Sequence, residues 1–133
     1  MAGTRVIKFM QKHQELIKKQ LYMELLMEAW HDDKMGWYWT HQLILMLEAV
    51  DKNTIDPIRE SFIHYILLRQ CEQFVEDMHP ELEVKLSTFY IKYLRHTAGY
   101  TKDEIQQMLI DNQEEFGIRV EQDLVGDWVI GPR

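Results

Sequence analysis

Apolar residues recur at helical spacing along nearly the whole chain. Val6, Met10, Ile17 and Leu21 fall on one face of the first stretch, with Lys8, Lys12, Glu15 and Lys19 on another. That pattern predicts a helix over about 4–30, which at 1.5 Å per residue would be roughly 40 Å long. A second helix is predicted over about 38–52. Its run from Leu43 to Leu47 has no polar side and marks the most buried helix of the fold. "DKNTIDP" reads as a loop, with Asp56 as N-cap and Pro57 at the first position of a third helix over 57–78, which stops before Pro80. A fourth helix over 81–97 turns Leu82, Leu86, Phe89, Tyr93 and Leu94 inward, although its opening "ELEVKLS" also alternates like a strand.

The fifth helix, over 102–116, has the clearest start. Thr101 and Glu104 have the spacing of a capping box, Tyr100 and Ile105 that of a hydrophobic staple, and Gly117 supplies the stop. Beyond it Ile118 and Val120 alternate, "VGDW" reads as a turn, and Trp128, Val129 and Ile130 favour strand. The tail over 118–133 is therefore expected as a short β-hairpin or an extended segment that pins Trp128 onto the helices. The fold expected is all-α: about five helices in an antiparallel bundle, one domain over 1–133.

"HDDKMGWYWTHQ" gathers His31, Asp32, Asp33 and His41 around a cluster of aromatics. An aromatic cage for a cationic ligand is one reading. The other is a bundle corner, with Gly36 turning the chain and Trp37 and Trp39 flanking the next helix. There Thr40 would be the N-cap and Trp39 would staple onto Ile44. The corner is the simpler reading, because His31 to Asp33 fall where the first helix ends.

Two Glu-x-x-His spacings stand out: Glu28 with His31, and Glu76 with His79. Ligands three residues apart share a helix face, and the pattern resembles the motif with which ferritin-like bundles hold a di-iron centre. These four are the candidate metal ligands. Both pairs sit on polar stripes at helix ends, whereas a bundle-core metal needs them among apolar neighbours, so no metal and no other cofactor is expected. Ser61 and Ser87 lie in no glycine-rich elbow, and the glycines form no phosphate cradle. Cys71, the single cysteine, precludes an intramolecular disulfide and reads as a buried small hydrophobe. No catalytic residue is assigned.

Charge narrows the choice of partner. The net charge is −7, unfavourable for general binding to phosphate backbones. It is also uneven. Up to Tyr22 the chain carries Arg5, Lys8, Lys12, Lys18 and Lys19 against Glu15, whereas the segment from Gly99 onward is strongly acidic. The fourth helix, its turn, the fifth helix and the tail would mimic a winged helix-turn-helix, but the recognition helix would carry Asp103, Glu104, Asp111, Glu114 and Glu115 against Lys102. No apolar run reaches the roughly 20 residues of a membrane span, and the N-terminus lacks the apolar block of a signal peptide, so a cytoplasmic protein is expected.

The reading that follows is a non-enzymatic protein-binding or regulatory protein, of the kind of a small acidic inhibitor or adaptor from a phage or mobile element. The alternatives are a nucleic-acid-associated regulator using the basic face of the first helix, and a metal-binding helical bundle enzyme. "LYMELLMEAW" is apolar around nearly its whole circumference. Tyr22, Met23, Leu26, Met27 and Trp30 are therefore the expected partner surface or homodimer interface.

Overall fold

The computed structural model describes residues 4–32, 38–79, 82–94 and 99–133. Among them the chain is mostly helical, with seven helices and a small three-stranded antiparallel sheet near the C-terminus. It divides into two compact units, Met1–Ile63 and His64–Arg133.

The amino-terminal unit contains α1 (Thr4–Lys12), α2 (Gln14–Lys18), α3 (Tyr22–Asp32) and the beginning of α4 (Tyr38–Asp77). The single helix expected over 4–30 is thus three. His13 leaves the helical region at φ −114°, ψ 33°. Gln20 is left-handed at φ 55°. The chain closes α2 with a Schellman pair of bonds: the Gln20 N–H donates to the Ile17 carbonyl at 3.0 Å and the Leu21 N–H to the Leu16 carbonyl at 2.9 Å. Glycine normally takes that left-handed position, and its absence hid the break from the periodicity. Gln20 gains a compensation: its Nε2 donates to Asp51 Oδ2 at 3.2 Å, and the Tyr22 hydroxyl donates to the same oxygen at 3.4 Å.

Asp51 is itself a break. At φ −151°, ψ 61° it divides α4 into two helical arms. The loop expected at 53–56 is helical instead, so Asp56 caps nothing and Pro57 lies inside the second arm. Asp56 Oδ2 accepts from Lys52 Nζ at 2.8 Å, one turn back. The helix restarts so early because the carboxylate of Asp51 already holds the opposing turn. Pro57, the sixth residue of that arm, has no N–H to donate to the Asn53 carbonyl, so the arm runs through it with one helical hydrogen bond missing. Thr40, expected as a cap, is also inside α4; it is buried, and its hydroxyl has no hydrogen-bond partner among the described residues. The proposed corner at Asp33, Gly36 and Trp37, the side chain of Trp39, the stop at Pro80 and the end of the fourth predicted helix lie outside the described residues. Val6, Phe9, Tyr22, Leu25, Leu26, Ala29, Leu43, Ile44 and Ile55 are buried in this unit.

The carboxy-terminal unit takes the last turns of α4, then β1 (Val84–Lys85), α5 (Leu86–Tyr93), α6 (Lys102–Asp111), α7 (Gln113–Phe116), β2 (Ile118–Gln122) and β3 (Trp128–Pro132). The helix expected from residue 81 therefore begins at Leu86. The alternation in "ELEVKLS" belongs to a strand, because β3 offers β1 a pairing edge. The expected fifth helix is interrupted at Asn112, with φ −120° and ψ 23°; there Asn112 Nδ2 bonds back to the Met108 carbonyl at 2.7 Å. Its ends are as expected. The capping box is complete, with Glu104 N–H to Thr101 Oγ1 at 3.1 Å and Thr101 N–H to Glu104 Oε1 at 2.9 Å. Gly117 is left-handed at φ 69°.

The tail forms the hairpin. β3 is the central strand, with Ile130 paired to Val84 of β1 on one side and to Val120 of β2 on the other. Arg119 fastens these strands together. Its Nε donates to the Pro132 carbonyl at 3.2 Å, its Nη1 to Glu83 at 2.8 Å and Glu121 at 3.1 Å, and its Nη2 to the Leu82 carbonyl at 3.4 Å. Gly131 makes room for this. A Cβ there would stand 2.7 Å from Arg119 Nη2 and 2.8 Å from the Leu82 carbonyl oxygen. Behind the sheet, Phe74 meets Phe89 and Tyr93 edge-on at 5.1 and 5.6 Å, and the Tyr93 hydroxyl donates to Asp77 Oδ2 at 2.7 Å.

Two predictions rest on this unit. Gly131→Ala forces the backbone at Leu82 as well as the Arg119 head to move. It is expected to lower stability by about 1–3 kcal/mol, read as an earlier urea midpoint; an unchanged midpoint would show that the staple is loose. The second concerns Tyr93 and Asp77. Burial first, then the bond to Asp77, pushes the Tyr93 hydroxyl up to about 12 from 10.0. Its contribution to stability is complete below pH 10 and falls away as pH rises from there towards 12. The bond from Tyr93, then that from Gln73, holds the Asp77 carboxyl below its ordinary value, so its contribution is lost as pH falls through that lowered value. In Tyr93→Phe the alkaline loss should shrink and the Asp77 titration, followed by NMR, should move upward. An unmoved Asp77 titration would mean that the bond is not formed in solution.

Candidate interaction surfaces

Helix periodicity places the charged residues of α6 and α7 outward. Ile105, Leu109 and Phe116 are buried, whereas Lys102, Asp103, Glu104, Gln107, Asp111, Glu114 and Glu115 are exposed. The acids are not equivalent. Glu104 is occupied in the capping box, and Glu115 reaches His64 Nε2 at 2.7 Å while the His64 ring lies 5.1 Å from that of Phe116. Asp103, Asp111 and Glu114 leave the outer face acidic, with Lys102 as its one cation among the described residues.

The β2–β3 hairpin follows α7 in the chain. Its loop is held by Asp123, whose Oδ1 accepts from the N–H groups of Val125 at 3.0 Å and Asp127 at 2.9 Å. Gly126 follows at φ 90°. At the tip Leu124 is fully exposed and Val125 is 82% exposed. At the hairpin base, Trp128 is half-buried beside a cleft of about 380 Å³ bordered by Lys85, Ser87, Tyr90, Lys102 and Gln106. Lys85 Nζ lies 3.6 Å from Asp127, and burial, followed by the charge of Asp103, pushes the Tyr90 hydroxyl up to about 12. In chain order α5, α6 and α7 precede the β2–β3 hairpin, and β1 pairs with the other edge of β3.

In the amino-terminal unit the basic residues Arg5, Lys8, Lys12, Lys18 and Lys19 are all exposed, and Glu15 lies 3.9 Å from Lys18. Beside them is an apolar cleft of about 360 Å³, lined by Ile7, Met10, Ile17 and Met46 with Gln11 and Gln14.

The residues singled out in α3 divide. Tyr22 and Leu26 are buried, the Tyr22 hydroxyl raised by burial and then by Asp51. Met23, Met27 and Trp30 are half-buried. The line from Tyr22 through Leu26 to Ala29 is thus interior, and the line from Met23 to Trp30 remains partly open. Glu28, His31, Glu76 and His79 are all exposed. Among the described residues, no three His, Cys, Asp or Glu side chains come close enough to share a metal ion. Cys71 is fully buried, and burial pushes its thiol up to about 12, far from a nucleophile's range.

Sequence reasoning missed the cleft on α1 and α2 and the exposed pair at the hairpin tip. The cleft depends on the unexpected break at His13 and on Met46 from another helix. The tip had a visible signal, since Leu124 and Val125 adjoin a turn where polar residues are usual. No helix is long and apolar enough to cross a membrane among the described residues. Comparison of the chain with protein-family models, with curated proteins and with solved structures finds no match in any of the three.

Proposed function

We propose that this chain is a non-enzymatic, cytoplasmic protein-binding regulator that presents the outer face of α6 and α7 to a basic surface on another protein. The observation that carries the reading is the charge of that face. In a helix-turn-helix the second helix meets the nucleic acid; here the corresponding helix exposes Asp103, Asp111 and Glu114. Phosphate would be repelled, whereas lysine and arginine on a partner would be attracted and steered to the site. A nucleic-acid-binding protein has such a basic surface, and competing for it is how a small acidic inhibitor would act. The half-buried line of Met23, Met27 and Trp30 offers an additional adaptable contact.

A second reading has one observation in its favour. Arg5, Lys8 and Lys12 are all exposed on α1, and such a stripe gives weak, sequence-independent contact with phosphates.

Affinity capture from the native host, with nuclease present, separates the two. Asp111→Lys/Glu114→Lys is the variant of choice, because Asp111 ends α6, where a cation suits the helix dipole. The wild-type chain should retain a protein that the variant releases. Identical retention by both, or retention abolished by nuclease, would refute the acidic-face reading. Binding to duplex DNA should be weak near physiological salt and fall steeply as salt rises. Sequence-specific binding at nanomolar concentration would overturn the assignment of a protein partner.

A further inference from the structure

We infer that the cleft at the base of the β2–β3 hairpin binds a small aromatic anion, its phosphate or carboxylate held by Lys85 and Lys102 and its flat ring beside Trp128. The site is independent of the protein partner proposed above. Its volume of about 380 Å³ is at the small end of the roughly 300–1,000 Å³ of small-molecule sites. All of its border belongs to the carboxy-terminal unit, and three segments distant in sequence build it. Lys85 and Ser87 come from the start of α5, Lys102 and Gln106 from the start of α6, and Asp127 and Trp128 from the start of β3. The pairing of Lys85 with Val129 joins the first segment to the third. The bond from the Tyr90 hydroxyl to the Lys102 carbonyl at 3.4 Å joins the first to the second.

Charge in the lining itself selects an anion. Two ammonium groups border the cleft against one carboxylate, that of Asp127, in a chain whose net charge is −7. Asp127 lies 3.6 Å from Lys85 with both side chains more than half exposed, so this pair is loose. Lys102 enters no ion pair among the described residues. A cationic ring would be drawn to an indole alone, but here both lysines oppose it. Asp103, next to Lys102 in the chain, stands outside the border. Lys85 gives the start of α5 no side-chain cap, and the positive end of that helix adds to the field of the two lysines.

The uncharged groups fit the same ligand. Ser87 and Gln106 supply donors for anionic oxygens. Burial, then the charge of Asp103, pushes the Tyr90 hydroxyl up to about 12, so it too stays a donor near neutrality. Leu86 is buried at the cleft, and the half-buried Trp128 leaves part of its indole open to a stacked ring. Trp128 is fixed from behind by its strand pairing with Gln122. A wall set before binding leaves little ordering to oppose the ligand.

Phenyl phosphate, benzoate, inorganic phosphate and benzylamine, titrated into the ¹⁵N-labelled full chain at low ionic strength, test the site. Phenyl phosphate should bind saturably with a Kd of about 1 mM or below, as suits so small a ligand, and should move the Ser87 and Gln106 amides and the Trp128 indole N–H. Inorganic phosphate, which lacks the ring, should bind about three- to tenfold more weakly, and benzylamine negligibly. Benzoate as tight as phenyl phosphate assigns the site to aromatic carboxylates as well; weaker benzoate assigns it to phosphates. Lys102→Gln should weaken phenyl phosphate about five- to tenfold, whereas Lys12→Gln, on exposed α1, should leave it unchanged. Circular dichroism checks that both variants are folded. No saturation by phenyl phosphate up to about 10 mM, ten times the expected Kd, would overturn the inference. So would inorganic phosphate or benzylamine binding as tightly as phenyl phosphate, affinity untouched by Lys102→Gln, or shifts confined to the lysines of α1.

Discussion

The carboxy-terminal unit depends on a single strand, β3. β3 occupies the five residues before Arg133, yet it is the central strand, and neither β1 nor β2 has another partner among the described residues. Residues 84–85 and 118–122 can pair only through it. That arrangement requires backbone to pass very close to the Arg119 guanidinium, which crosses β3 to reach the lead-in to β1 at Leu82 and Glu83. Glycine at 131 is the residue that permits the crossing. The exposed edge of β2 is also partly covered. Gln113 of α7 accepts the Val120 N–H at 2.8 Å, which removes one donor from an edge open to unwanted strand pairing.

A comparable constraint shapes the amino-terminal unit, though it is polar. The carboxylate of Asp51 accepts from Gln20 and Tyr22, and both Asp51 and Gln20 have left helical geometry. Two interruptions in different helices thus meet over a shared oxygen. Each would be unfavourable alone: a left-handed glutamine forgoes the freedom that glycine has, and a break in a helix leaves amide and carbonyl groups to be satisfied elsewhere. The side-chain bonds to Asp51 tie the two interruptions together, while the Gln20 backbone amide is satisfied within its own turn by the Ile17 carbonyl.

This difference explains what the sequence disclosed. Features set by neighbouring residues were legible: the capping box at Thr101 and Glu104, the stop at Gly117, the turn before Trp128 and the alternation that became β2. Even the ambiguity at "ELEVKLS" was legible as such. Features set by distant residues were not. Nothing local at Gln20 or His13 announces a break, because the reason for the one at Gln20 lies at Asp51, thirty-one positions away. "DKNTIDP" misled in the same way. Pro57 has a strong local preference for a first helical position, and the tertiary bonds at Asp51 moved the helix start ahead of it. The acidic outer face of α6 could be read from composition and period alone. The cleft against Met46 needed the fold.

Opposite charge at the two ends of a chain is usually no more than solvated surface, and its energetic weight is small when the charges are exposed. At the hairpin tip the exposed Leu124 and Val125 lie between Asp123 and Asp127 in the chain, whereas the cleft at Ile7 and Met10 has no charged residue in its lining. Charge around an apolar contact adds modest affinity but strongly orders the choice of partner, since a like-charged rim would repel the same insertion. The same logic applies to α6, whose exposed acids disfavour phosphate.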